Sequence, residues 1–577
     1  MKYFKRYYML VKKFRFQILI AVILAAVTSL GNVIFPRMIG TLVDHIKNAT
    51  LTVAVMKDLL LKLLSLAIAI YIANIIWGYY IFRNFYYVKA KLSVDILKKA
   101  LRQSPLFLKK NPISEIINKT SSDSGKVGEV VGYGLMTLVD GVVFPVFIFV
   151  AMSKISVLLT LISVIALPIM VYIITEISKK YDPAYEAFQK SLDSLNENAI
   201  EDFSAIKVVK SFVIEENKKE IFLKKVDDSL SKELYTTKLA AYYNPVTEIG
   251  IGFFSIISFV VGAKLIHNGT ISYGDLITFS MYLLFLTWPA YALSDMIIVF
   301  KEGNASIKRI DKLLYYEDDF KNYNATKTVA RVDKIELKDL SFQYPGNDKF
   351  ELKDINMTFE RGKKYGIVGK TGSGKTTILR QLINEYPDFS GKILINGIDV
   401  KDLNLISLKK KVGYVPQEHF LYSKTIRENI EFYRPLTDNE VEKVILASDF
   451  KKDLQNLPKG IHTLSGEQGI SLSGGQKQRI SLARALAKKV DILVLDDVLS
   501  AVDNSTQNKI LENLNEEFAD NIVVMSSHKI NAVKNFDMIF VLDNGKIVES
   551  GNFDRLMENK GWFYEQAVIQ EVTHEKR

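Results

Sequence analysis

Six apolar runs, near residues 16–43, 59–82, 130–153, 155–176, 239–263 and 275–300, crowd into the first half of this 577-residue chain. Each approaches the roughly 20 residues that a helix needs to cross the hydrocarbon layer of a bilayer. Six such runs in the first 300 residues, and none later, do not suit the buried helices of a soluble core. They predict six membrane-spanning helices.

Lysine and arginine placement sets the orientation. Residues 1–15 carry Lys2, Lys5, Arg6, Lys12, Lys13 and Arg15, and the stretches Arg83 to Lys126 and Lys179 to Lys238 are rich in lysine. The turns near Lys154 and His267 are short and nearly uncharged. The basic side faces the cytoplasm, so a multi-pass protein of the cell membrane with both termini inside is expected. The two long inner connections are too polar for lipid and should continue the membrane helices into the cytosol. Ahead of the first run, basic residues alternate with Tyr3, Phe4, Tyr7, Tyr8 and Leu10, as in a helix lying at the membrane interface. A signal peptide is the rival reading of this basic segment, but the apolar run behind it is long and suits a retained anchor.

Charge and composition remove other classes. Residues 1–330 hold 39 basic and 28 acidic residues, whereas residues 331–577 hold 36 of each. The whole excess of +11 therefore belongs to the membrane half and reports topology, not nucleic-acid binding. The absence of cysteine excludes disulfides, thiol nucleophiles and iron–sulfur clusters. The six histidines are too scattered for a histidine metal site.

After Lys301 the pattern changes. The expected divisions are an interfacial helix over 1–15, a six-helix transmembrane domain with cytoplasmic extensions over 16–314, a linker over 315–332, and an α/β P-loop nucleotide-binding domain over 333–577. In this last part short β-like runs such as IELKDLSF, KILING and ILVLDD alternate with helical stretches. Within it, YGIVGKTGSGKTTILRQL contains GxxxxGKT from Gly369 to Thr376, behind an apolar strand and ahead of a helix. This is the context of a phosphate-binding loop, in which Gly369, Lys370, Thr371, Gly372, Ser373, Gly374, Lys375, Thr376 and Thr377 surround an anion at a helix N-terminus. Backbone N–H groups crowd the phosphates, Lys375 neutralises their charge, and the Thr376 hydroxyl can hold Mg²⁺. ILVLDD supplies the opposite wall, a buried strand ending in the carboxylate of Asp496, a Mg²⁺ ligand. A third segment, LSGGQKQR from Leu472, opens a helix with Ser473, Gly474, Gly475 and Gln476 as further donors to phosphate.

These segments, with LSFQYP, VPQEHF, LSAVD and SSHK, resemble the ordered motifs of a half-size ABC exporter of type IV fold. The six spans, GNASIKRIDKLL after the last, and AIKVVKSF in the second inner connection extend the resemblance over nearly the whole chain. It implies ATP and Mg²⁺ as cofactors and a head-to-tail dimer of nucleotide domains, in which Ser473 to Gln476 contact the ATP held by the partner. It also implies that Tyr344 stacks on adenine, that Gln417 contacts the metal, senses the γ-phosphate and touches the membrane domain, that His528 steadies the γ-phosphate and the attacking water, and that Ser500 to Asp503 communicate across the dimer. KKNPISEIIN (109–118) and FSAIKVVKSF (203–212) are expected to include the helices that couple the two domains.

One departure stands out. Asp497 occupies the position where hydrolysing members carry Glu. Its carboxylate is one methylene shorter, and a misplacement of about 1 Å can cost on the order of 10²-fold in rate. VPQEHFLYS and LDDVLSAVD resemble the weak-site subunit of heterodimeric multidrug exporters, which implies a second half-transporter as partner, with lipid around the spans and main turnover at the site the partner completes. A homodimeric exporter with Asp497 catalytic, and an ATP-gated channel or regulator, are the other readings. Asp140, Glu176, Glu248 and Asp295, with Trp77, Tyr79, Tyr80, Phe285 and Trp288, suit a small cationic amphipathic substrate, or else structural pairs and aromatic belts.

Overall fold

The computed structural model of the chain describes residues 2–323, 325–344, 346–347, 349–466, 472–500 and 502–575. These form two compact units: Met1–Leu97 with Ile117–Tyr315, and Lys98–Ile116 with Tyr316–Arg577.

The first unit is helical. Among the described residues five helices are long and apolar enough to cross a membrane: Lys5–Lys47, Val53–Leu101, Ile113–Ile155, Glu248–His267 and Tyr273–Leu314. The fourth predicted run, 155–176, falls in the 48-residue helix Val157–Ser204; the side chains of residues 166–168, 170 and 171 within it lie outside the described residues. At about 1.5 Å per residue, the 49 residues of Val53–Leu101 run far beyond any bilayer, which is why the helix becomes lysine-rich after Arg83. Helix Glu215–Ala240 extends the second polar connection.

Packing in this unit relies on small residues and a few polar ties. Helices Arg15–Lys47 and Tyr273–Phe285 meet at two glycines. A Cβ on Gly40 would stand 2.5 Å from the Gly274 carbonyl oxygen, and one on Gly274 would stand 2.0 Å from that of Gly40. Close backbone approach through glycine is a common route to helix association in lipid, where no hydrophobic force acts between helices. Asp44 completes the contact by accepting from the Ser272 hydroxyl (2.6 Å) and the Gly274 N–H (2.8 Å). The N-terminal helix Lys2–Val11 buries Tyr7 and Leu10, and Arg6 pairs with Asp311 at 2.8 Å.

The second unit holds two sheets. The smaller has the order β2-β1-β4-β5, built from β1 (Lys334–Phe342), β2 (Leu352–Glu360), β4 (Ser390–Ile395) and β5 (Ile398–Asp399), all antiparallel. The larger has the order β10-β9-β3-β8-β7-β6, from β3 (Lys364–Gly369), β6 (Val412–Val415), β7 (Ile492–Asp496), β8 (Ile522–Ser526), β9 (Met538–Asp543) and β10 (Lys546–Gly551). Only β10 is antiparallel to its neighbour. All five residues of β7 and of β8 are buried, the burial expected of central parallel strands. Such sheets place ligand sites beyond the carboxyl ends of their strands.

Part of the first inner connection belongs to this unit. Ser104 caps the short helix Pro105–Lys110, and its hydroxyl donates to Asp319 at 2.6 Å. Leu106 joins the core that includes β1, β2 and β3, while the fully buried Phe107 meets Tyr316 edge-on at 5.1 Å. The part of this connection that belongs to the unit runs from Lys98 to Ile116 and takes in most of the predicted 109–118, where Lys110 lies over the Tyr316 ring at 5.9 Å and a short helix spans Ile113–Asn118.

Candidate functional site

Strand β3 ends at Gly369, and the chain loops back to enter the helix Lys375–Leu382. Glycine is required at the turn, since a Cβ on Gly369 would lie 2.2 Å from the Leu542 carbonyl oxygen. Lys375 Nζ donates to the carbonyls of Gly369 and Lys370, both at 2.9 Å, so the loop is closed around its own cation. Burial holds this ammonium below its usual lysine range, opposed by Asp497 and Asp496.

Two strands across the sheet, β7 delivers Asp496 to the same place. Its Oδ1 accepts from the Thr376 hydroxyl at 3.1 Å and from the Ser526 hydroxyl at 2.7 Å. Its Oδ2 is buried without a hydrogen-bond partner among the described residues, as is the Ser373 hydroxyl. Pairing of β6 with β7 brings the chain after Val415, and with it Gln417, to the same edge. The result is a cavity of about 140 Å³ lined by Thr371 to Thr377, Gln417, Asp496, Asp497, Ser526, His528 and Glu351.

Asp497 follows the strand with a left-handed backbone, φ +50°. Its N–H donates to the Ser526 carbonyl (3.2 Å) and hydroxyl (3.0 Å), and its carbonyl accepts from the Ser500 hydroxyl at 2.9 Å. Burial raises the affinity of its carboxylate for protons, while the nearby His528 ring and N–H oppose that rise. His528 is shifted the other way: burial, then the Lys375 cation, lower it from the ordinary histidine value. The His528 side chain and the part-buried Asp497 carboxylate thus both line the cavity.

Other predicted residues stand apart from this cavity. Tyr344 is beside the loop, with its hydroxyl 3.2 Å from the Thr377 hydroxyl and its ring edge-on to Phe342 and Tyr386, but it does not line the space. Ser473, Gly474, Gly475 and Gln476 form the start of the helix Gly474–Leu486. Ser473 Oγ accepts from the Gln476 N–H (3.3 Å), and Gln476 Oε1 accepts from the Ser473 N–H (3.0 Å). Arg479 is anchored to Asp453 at 2.7 Å. One chain thus presents a phosphate-loop cavity and, away from it, a capped helix start. Of the expected signalling segment, Ala501 lies outside the described residues, while Asp503 caps the following helix through Thr506 at 3.0 Å.

Two cavity residues had no separate reading in sequence. Ser526 lies beside Asp496 only through the β7–β8 register, although it opens the SSHK segment. Glu351 comes from the turn before β2 and carries no local signal. In the first unit, Asp140 accepts from Trp288 Nε1 at 3.1 Å and Asp295 from the Tyr133 hydroxyl at 2.6 Å. Glu176 instead pairs with Lys179 one turn along its own helix, and no ionic partner is recorded for Glu248 among the described residues.

Comparison with known proteins places both units. The family described as ABC transporter transmembrane region matches residues 18–290, and that described as ABC transporter matches residues 352–500. The chain is 33% identical over 555 residues to the "Probable multidrug resistance ABC transporter ATP-binding/permease protein YheI" of Bacillus subtilis, covering 96% of this chain and 95% of the relative. It is 29% identical to the multidrug resistance-like ATP-binding protein MdlA of Escherichia coli, covering 96% and 94%. Its fold is that of a bacterial Atm1-family ABC exporter solved with ATP bound, with a TM-score of 0.79 at 21% identity over 97% of this chain and 98% of the other.

Proposed function

The chain belongs to the ABC transporter family, and from that footing we propose that it is one half of an ATP-driven exporter, paired with a different half-transporter and weakly hydrolytic at its own phosphate loop. The observation that carries this reading is Asp497. It is a short carboxylate in the lining of the cavity, in the position where a longer Glu would polarise water. A general base must be within reach of the proton it removes, and the Asp497 carboxylate falls short of a Glu by one methylene.

The donor set of the cavity suits the phosphates and metal of Mg·ATP. The unpartnered Asp496 Oδ2, the Thr376 hydroxyl and the Gln417 amide are oxygen donors of the kind that Mg²⁺ takes, one carboxylate among them. When bound, the ion would neutralise charge on the outer phosphates. The chain's own part is to release Lys375 from the Gly369 and Lys370 carbonyls toward phosphate, to offer the loop N–H groups, and to hold His528 beside the γ-phosphate. Tyr344 would take the adenine ring. Ser473 to Gln476 would serve the partner's ATP, since they lie outside this chain's cavity while keeping an intact, capped helix start.

The surface supports a partner as well. Phe203, Phe212 and Val213, in and after the predicted second coupling segment, are 73–81% exposed, as befits side chains covered by another nucleotide domain. Closure of two nucleotide domains on ATP would then drive the spans between two arrangements. For the cargo, Asp140 and Asp295 accept from the uncharged donors Trp288 and Tyr133, and ionisable groups within spans commonly line substrate paths. With the multidrug-resistance relatives, this favours a small cationic amphipathic compound. Native mass spectrometry of the complex purified from its own cells tests the assembly. A one-to-one complex with a second ABC half-transporter bearing Glu at the strand end is expected; a complex of two identical chains contradicts it.

A further inference from the structure

Away from the nucleotide cavity, a second hollow of about 310 Å³ lies wholly within the second unit. Its lining includes Arg102, Lys409, Lys410 and Lys488 and no carboxylate. The four cations come from three separate stretches of chain: the end of the first inner helix, the helix Leu405–Lys411 that leads into β6, and the residues that follow the helix Gly474–Leu486. Their convergence is a product of the fold and not of a local lysine run.

Three of them are held in place. Arg102 lies over the Tyr323 ring at 5.1 Å and Lys409 over the Phe320 ring at 5.0 Å. Lys488 Nζ donates to the carbonyls of Lys409 and Val412, both at 2.6 Å. None of the four is in an ion pair among the described residues. Two acids that act on these cations are already engaged or set back. Asp318, whose charge Arg102 feels, accepts from Lys99 and Gln103 at 2.6 Å each, and Glu385 acts on Lys409 only at longer range. Burial, with repulsion from Arg434, pushes Lys488 down to about 8. Positive charge gathered along one hollow in this way raises the local concentration of anions.

We infer that this hollow is a binding site for a soluble, multiply charged phosphate compound, which bridges Arg102 to Lys410 and Lys488 and so fastens the first inner connection to the helix that precedes Gln417. Its volume suits a ligand the size of a diphosphate or small phosphorylated metabolite, and fixed Arg and Lys donors are the usual partners of phosphate oxygens. A lipid headgroup offers the same oxygens, but Leu101 to Gln103 stand well inside the polar connection that begins at Arg83, so the soluble source is the one proposed. The site is independent of the hydrolytic strength of the Asp497 site.

The test uses the full chain in nanodiscs, with the nucleotide cavity saturated by a non-hydrolysable ATP analogue, titrated with inorganic pyrophosphate by calorimetry. Acetylation of Lys409, Lys410 and Lys488 is followed in parallel by mass spectrometry. Saturable binding is expected, with all three lysines protected and at least a tenfold loss of affinity in Arg102→Gln/Lys410→Gln, whose affinity for the ATP analogue and melting temperature stay unchanged. Absence of saturable binding, equal binding by the double variant, or binding only to vesicles containing phosphatidic acid would overturn the proposal.

Discussion

The Thr376 hydroxyl donates to Asp496 Oδ1 at 3.1 Å, joining the first turn of the phosphate-loop helix to the end of β7. The second oxygen of the same carboxylate is left free. If that oxygen receives the metal, Asp496→Asn should remove most of the strengthening that Mg²⁺ gives to ATP binding, roughly tenfold or more, and leave metal-free binding within about threefold. Fluorescent-nucleotide titrations with and without Mg²⁺ measure both; equal loss in the two conditions would assign Asp496 a purely structural role.

Ser473 separates the two sites of the proposed pair. Its own helix uses the hydroxyl as a cap, so Ser473→Ala should cost about 1 kcal/mol of nucleotide-domain stability. Its larger effect is expected on the partner's ATP. In the purified pair, Ser473→Ala should lower ATPase activity far more than Asp497→Asn does, and the reverse order would contradict the assignment.

In the membrane unit, Gly40→Val should be severe. Its Cβ would meet Thr278 Oγ1 at 2.1 Å as well as the Gly274 carbonyl, and overpacking of this kind costs roughly 1–3 kcal/mol or more. Gly78→Ala is the control, because nothing lies within 4 Å of the added atom. Thermal melts of the two variants in detergent should diverge, the first falling and the second holding or rising.

The His528 shift predicts a pH effect. Its protonation is lowered in the folded protein by burial and by Lys375, so the unfolded chain binds more protons below about pH 6.5. The neutral ring therefore contributes stability that is complete above that value and is lost as pH falls through the folded titration. His419, lowered by burial alone, acts in the same sense. The melting temperature of His528→Gln should decline less between pH 7.5 and 5.5 than that of the unaltered chain. An identical decline would show that His528 takes no part.

What could be read from sequence was what short segments carry by themselves. Apolar run length marked the spans, and Gly369 to Thr376 and Asp496 marked two walls of the cavity, because loop and strand end each have a local pattern. What escaped depends on register or packing between distant segments. Ser526 reaches Asp496 through strand pairing, Glu351 arrives on a turn between two strands of the other sheet, and Leu106 and Phe107 dock although lysines surround them. The Gly40–Gly274 approach joins residues 234 apart in the chain, with nothing local at either glycine to announce it.

The central claim is that Asp497 makes this chain's own site a slow one. Steady-state ATP hydrolysis by the purified single chain in nanodiscs, compared with that of Asp497→Glu, tests it most directly. The account predicts little turnover by the unaltered chain and a rise of at least tenfold when the missing methylene is restored. Robust hydrolysis by the unaltered chain, with no gain in Asp497→Glu, would contradict it.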